Sequence, residues 1–252
     1  MAINKVTKQE LESAFSKASI AIEGLKNIKL LFVPTHIDPN NIEELTAIYK
    51  NISNSSFDTV VVVESNKDAL DKKLSIPSNH TFVTPFGEVR VNDTLRNELC
   101  DEEDDFFIND GGMSDEMSLY TQLMMLQACQ DDFDVVSIQI GDSDPAIVKE
   151  LAFALDELLH SRNVLLVFCC DIPNSDTSEL QKLKQLIDSN NESGLHHYLN
   201  SNDKKVRGAR AFITGVLISK YWNLDTWFTP VSEKTNYIGG FGYIPVSEEA
   251  YK

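Results

Sequence analysis

Residues able to do chemistry gather at the ends of four apolar runs. The first run ends in "VPTHID", the second in "VESNKD", the third in "IGDSDP" and the fourth in "CCDIPN". These ends supply His36, Asp38, Glu64, Asn66, Lys67, Asp142 and Asp171, with Asn174 close behind. Carboxylates and an imidazole on one rim are the groups that bind divalent cations. Of the five histidines only His36 falls at such an end, so a metal rests on a single imidazole there. His36 or Lys67 is the other candidate, as a metal-free base. Lysine loses its proton near neutral pH only when buried or beside cations, and these neighbours are acidic. No G-x-S-x-G, G-x-G-x-x-G or phosphate loop occurs, which removes the common hydrolase, dinucleotide and nucleotide signatures.

A second feature is "KKVRGARAFITGVL", residues 204–217, which sets Arg207 and Arg210 around Gly208, just ahead of an apolar run. A guanidinium there is a permanent cation in a chain of net charge −17. Cys169 and Cys170 end a buried run, so their side chains point to opposite faces and read as packing rather than as a redox pair.

The elements that must position these groups alternate. "TKQELESAFSKASIAIEGL" is amphipathic at helical spacing over about residues 7–25. "IKLLFVP", "FDTVVVVESN", "FDVVSIQIG" and "NVLLVFCCDIPN" are apolar throughout, as strands of a parallel sheet are. Helical patterns separate them: "NNIEELTAIYKNI", "SDEMSLYTQLMMLQACQ" with a cap at Ser114, and "DPAIVKELAFALDELLHSR". "HTFVTPFGEVRVN" alternates as a hairpin does, "DTLRNEL" begins a short helix and "CDEEDDF" reads as a charged turn. Two helical patterns, "TSELQKLKQLIDS" and "GLHHYLN", lead to a helix through "ITGVLISKYWN" and paired strands "TWFTPVS" and "NYIGGFGYIPV". The expectation is an α/β protein of one domain over residues 1–252, its core at about 28–246, with a mostly parallel, mixed central sheet flanked by helices.

The charge argues against nucleic acid and anionic lipid as partners. No signal-peptide core or membrane-length apolar run is found, which points to the cytoplasm, with the nucleus open, and to reduced cysteines.

The order of these strand ends, with the hairpin among them, resembles the Memo family, whose fold is that of the class III extradiol dioxygenases. The family pattern A-P-H-A-G-Y is similar to "VPTHIDPNNIEELTAIY", G-P-S-H-H to "VVVESNK", and Y-x-T-P-L to "FVTPFGEVRV". E-H-S-I-E resembles "GGMSDEMSLY", F-x-I-x-P-x-x-V-G resembles "FDVVSIQIGD", and S-S-D-F-C-H resembles "CCDIPN". C-G before G-V-L-L is similar to "RGARAFITGVLI", and S-Y-A-A-G-A to "YIGGFGY".

On these matches the family's metal ligands are mostly replaced. The first histidine falls on Thr35, with His36 one place late; the second falls on Asn66, followed by Lys67. The helix-start histidine falls on Met113, the last histidine on Asn174, and the cysteine on Arg207 before a retained Gly208. Glu116 and Asp171 keep their acidic character. The resemblance therefore implies a dismantled metal centre in which Arg207 serves as counter-charge to Glu116 and Asp171, with no cofactor. It implies a pseudoenzyme that binds a protein partner, and a phosphopeptide through Lys67 with Arg207 or Arg210 is a further expectation. The alternative is an iron- or copper-dependent oxidoreductase or dioxygenase-like enzyme on the reduced set His36, Glu116 and Asp171.

Overall fold

The structure is a computed structural model and describes residues 6–19, 25, 27–35, 42–66, 72–102, 104–114, 117–141, 144–173, 177–230 and 237–245. In chain order the elements are α1 (Lys8–Lys17), β1 (Ile28–Val33), α2 (Ile42–Lys50), β2 (Thr59–Ser65), β3 (Leu74–Ile76), β4 (Thr81–Thr84) and β5 (Gly87–Arg90). They continue with α3 (Asp93–Glu102), β6 (Phe106–Ile108), α4 (Leu119–Gln127), β7 (Asp134–Ile140), α5 (Pro145–Leu159), β8 (Val164–Cys169) and β9 (Ile172–Pro173). The last are α6 (Thr177–Asp188), α7 (Glu192–Asn200), α8 (Ala209–Tyr221), β10 (Asp225–Pro230) and β11 (Tyr237–Tyr243).

Across the main sheet the order is β10, β11, β1, β8, β2, β7, β3, β6, with β9 paired to β11 off that path. The four apolar runs are its centre: β1, β8, β2 and β7 are mutually parallel. Antiparallel pairing surrounds them, β11 with β1 and β10 on one side and β3 with β7 on the other. This is the mixed α/β sheet expected from the sequence, with α2 and α5 as two of its crossover helices. The strands of β4 and β5 form a separate hairpin, as their alternation predicts.

Both faces of the centre are covered, so successive side chains enter different cores. Val60 and Val62 of β2 pack with Leu45, Ile48 and Met125 on the face of α2 and α4. Val61 and Val63 pack with Leu151, Leu183 and Phe212 on the face of α5, α6 and α8. Cys169 and Cys170 divide between the two cores, both are free thiols, and burial holds both well above the usual thiol pKa. Among the described residues no helix is long and apolar enough to cross a membrane.

Four local expectations are corrected. The first helix stops at Lys17, not near residue 25: Ala18 is extended, and the Lys50 ammonium from α2 takes the carbonyls of Phe15 and Ala18 at 2.9 and 2.6 Å, closing the helix end with a cation. The N-cap of α4 is Ser118, four residues after Ser114. The segment "CDEEDDF" is not one turn, since residues 100–102 finish α3 and Phe106 starts β6. Finally, α8 begins at Ala209 rather than within "ITGVL", because Gly208 adopts φ 72°, a left-handed conformation that turns the chain directly into the helix.

Candidate functional site

The carboxyl ends of β1, β8, β2 and β7 lie side by side, and in register Val33 neighbours Cys169, Cys169 neighbours Glu64, and Glu64 neighbours Gln139. In open α/β sheets this edge is where ligands bind. One step beyond the row, Thr35 donates to both oxygens of Asp171, its amide to Oδ1 and its hydroxyl to Oδ2, each at 2.8 Å. Asp171 is buried, and its backbone pairs with that of Arg207 through hydrogen bonds of 2.9 and 3.2 Å.

The Arg207 side chain reaches Asp171 with Nη1 3.6 Å from Oδ2, beyond hydrogen-bonding distance, and is 57 % exposed. The pair is thus a loose, solvated one, and the short bonds to the carboxylate come from Thr35. Replacement Arg207→Met is expected to lower stability by about 0.5 kcal/mol or less in urea unfolding, because the backbone bridge holds the loop and an exposed pair contributes little.

The inward guanidinium belongs to Arg210. Its Nη1 and Nη2 donate to the carbonyls of Ile140 and Asn66, each at 3.2 Å, across the ends of β7 and β2. Starting α8 at Ala209 puts Arg207 outside the helix and Arg210 in its first turn, which decides which arginine turns in. The next residue, Ala211, gives its amide to the Ser65 hydroxyl at 3.1 Å, supplying a cap that Gly208 has no side chain to make.

On the opposite face Glu64 does the corresponding work for α4. Ser118 donates its hydroxyl to Oε2 at 3.0 Å and its amide to Oε1 at 3.4 Å, and the Leu119 amide adds a third bond. A carboxylate suits the positive end of a helix. Burial nonetheless outweighs these bonds and raises the Glu64 pKa to about 6. Asn66 turns its amide to the Gly112 carbonyl and to Gln139 Oε1, at 3.2 and 3.1 Å, and Gln139 in turn faces the Met117 sulfur. Met113 follows Gly112 and packs on the core of α2 and α4. Gln122 of α4 ties the edge down by donating to the Pro34 carbonyl at 3.0 Å while accepting from the Tyr49 hydroxyl.

Of the residues singled out by sequence, Thr35, Asp171, Arg207 and Gly208 come together, and Asn66 and Met113 form a second group. His36, Asp38, Lys67, Glu116, Asp142 and Asn174 lie outside the described residues. Among the described residues no three His, Cys, Asp or Glu side chains gather as a metal would require. Sequence reading missed the roles of Ser65, Ser118 and Gln139. The one available signal was a glutamate at the end of a four-valine strand.

The profile of the Memo-like protein family matches residues 3–223. The chain belongs to the Memo-like protein family. A MEMO1 family protein of Thermotoga neapolitana is 29% identical over 160 residues, covering 59% of this chain and 56% of the relative. One of Nitrosopumilus maritimus is 26% identical over 124 residues, 49% and 45% of the two chains, so the matched region spans about half the length of these relatives. A crystal structure of an uncharacterized protein from Escherichia coli K12 shares the fold at 13% identity, TM-score 0.52, over 85% of this chain and 99% of that one. Set against the ligands that the Memo resemblance implies, the described groups do not fit a divalent cation. Beside the retained Asp171 they are an amide already donating at Asn66, a thioether packed against the core at Met113 and a fixed cation at Arg207.

Proposed function

We propose that this Memo-family chain has lost the metal-dependent chemistry of its fold and acts as a non-catalytic, protein-binding module. The observation that carries the reading is at Asp171. Both oxygens of this retained acid are taken by Thr35, at the position where the resemblance puts a histidine ligand. A carboxylate oriented by Thr35, with neither imidazole nor thiolate at the matched positions beside it, lacks the partner ligands that would hold a cation there. The neighbouring replacements at Asn66 and Met113 support the same reading, since each is tied to another part of the protein.

Metal analysis and calorimetric titration with iron(II), copper(II) and zinc test it. The wild-type chain is expected to hold none of them at one per chain, and a variant carrying Asn66→His, Met113→His and Arg207→Cys is expected to gain affinity for at least one. Stoichiometric iron or copper in the wild type, with oxidase or dioxygenase turnover, would instead establish the enzyme alternative based on His36, Glu116 and Asp171.

A further inference from the structure

The sequence contains one Asp–Gly pair, Asp110–Gly111, and no Asn–Gly pair. It lies in a single turn of 3₁₀ helix over Asp110–Gly112, capped by Asn109. An Asp–Gly pair is a place where a protein chain rearranges with no reagent but water. The Gly111 amide nitrogen, which no side chain shields, attacks Asp110 Cγ. The N–Cγ bond forms, the Cγ–OH bond breaks, and the hydroxyl leaves as water with the amide proton. A second water reopens the ring on either side. One opening restores aspartate; the other routes the main chain through the side-chain carboxyl as isoaspartate. Asp110 and Gly111 are both exposed, so water reaches them.

In the folded chain both reacting groups are engaged elsewhere. Ser78 donates its amide to Asp110 Oδ1 at 2.8 Å and its hydroxyl to Oδ2 at 2.7 Å. These bonds favour the carboxylate and hold Asp110 below its ordinary pKa, whereas ring closure needs the neutral acid, whose hydroxyl can leave. The Gly111 amide is turned to Asn109 Oδ1 at 2.8 Å, and the Asn109 amide is fixed in turn to the Ile76 carbonyl at 2.9 Å. We propose that Asp110–Gly111 is a covalent modification site of this protein, where Ser78 and Asn109 hold off conversion to isoaspartate, and that conversion uncouples the turn from the strand-end site. Isoaspartate inserts one carbon into the main chain and removes from it the Asp110 carbonyl, which the Met113 amide uses at 2.9 Å. Between those two residues lies Gly112, whose carbonyl takes the Asn66 amide at 3.2 Å. The change therefore falls between the Ser78 anchor and the contact with the rim, and it depends on no reading of the metal site.

The test follows isoaspartate at position 110 by peptide mapping after incubation at one pH and temperature, with Asp110→Ser as the blank. The folded wild type is expected to convert about tenfold more slowly than the same chain unfolded in urea. Ser78→Ala, folded, is expected to convert about threefold faster than wild type, since it loses one hydrogen bond to a charged group at an exposed site. Ser78→Thr keeps the hydroxyl and is expected to restore the wild-type rate. Asn191→Ala, which removes the cap of α7 far along the chain, lowers stability by about 1 kcal/mol and is expected to change the rate by less than about twofold. Equal rates in the folded and unfolded wild type, or a wild-type rate in Ser78→Ala, would overturn the proposal. So would an equal acceleration in Asn191→Ala, which would make general unfolding the route. The isomerised protein, once separated, is expected to melt below the native chain; an unchanged melting temperature would overturn the coupling to Asn66.

Discussion

Gly208→Ala is expected to destabilise the protein by about 3–5 kcal/mol, read as a fall in the midpoint of urea unfolding at unchanged slope. Two effects combine. An L-residue at φ 72° costs about 1–2 kcal/mol before any contact is counted. A Cβ built there would also lie 2.5 Å from the Cys169 carbonyl oxygen and 3.1 Å from the Cys170 Cα, both backbone atoms of the strand end that carries Asp171. Relief must come from moving that strand end or the start of α8, and either movement disturbs the Thr35–Asp171 bonds. Gly208→Asn separates the causes, because asparagine tolerates the left-handed region but keeps the Cβ. Its stability is expected to stay within about 1 kcal/mol of the alanine variant; recovery close to wild type would show that conformation, not crowding, dominates.

Glu64→Gln is expected to change how stability depends on pH. Below about pH 4.5 the carboxyl is protonated in both the folded and the unfolded chain, so burial carries no electrostatic cost. As pH rises the unfolded chain ionises first, and the folded carboxyl follows at about 6. The wild type therefore loses stability across that interval, and the loss is complete above it. The glutamine variant lacks this loss, so its stability relative to wild type should rise by about 2 kcal/mol between pH 4 and pH 8, whatever constant offset the amide introduces. Chemical unfolding of both proteins at each pH measures the difference and cancels the many other carboxylates. A flat difference would mean that Glu64 ionises in the folded protein as readily as in water, and that the three donors at the start of α4 fully offset its burial.

Much of the fold was legible because the central strands advertise themselves. Four apolar, β-branched runs separated by helical patterns admit few arrangements other than a parallel sheet covered on both faces. The short strands were not legible: β3, β6 and β9 have two or three residues each and exist only through pairing with neighbours distant in sequence. The site was legible in its membership and not in its wiring. Thr35 and Asp171 could be placed at adjacent strand ends, but the bond between them spans 136 positions, and nothing local reveals it. Which arginine faces inward was equally hidden, since three positions separate Arg207 from Arg210 and the choice turns on the first residue of α8. The N-cap of α4 moved to Ser118 for a similar reason. Its hydroxyl is used by Glu64, 54 positions away, rather than by its own helix.

Glu64 and Ser65, consecutive residues of β2, each hold the start of a helix, and those helices lie on opposite faces of the sheet. A single peptide unit thus indexes both layers of the molecule to one point. Sliding β2 by one place would turn each of its side chains to the other face, so neither helix start would keep its partner: Asn66 or Glu64 would take the slot of Ser65, and Ser65 or Val63 the slot of Glu64. The alignment of the whole sandwich is therefore guarded by a dipeptide, and the edge where a ligand would sit inherits its exactness from two side chains that never need to touch one.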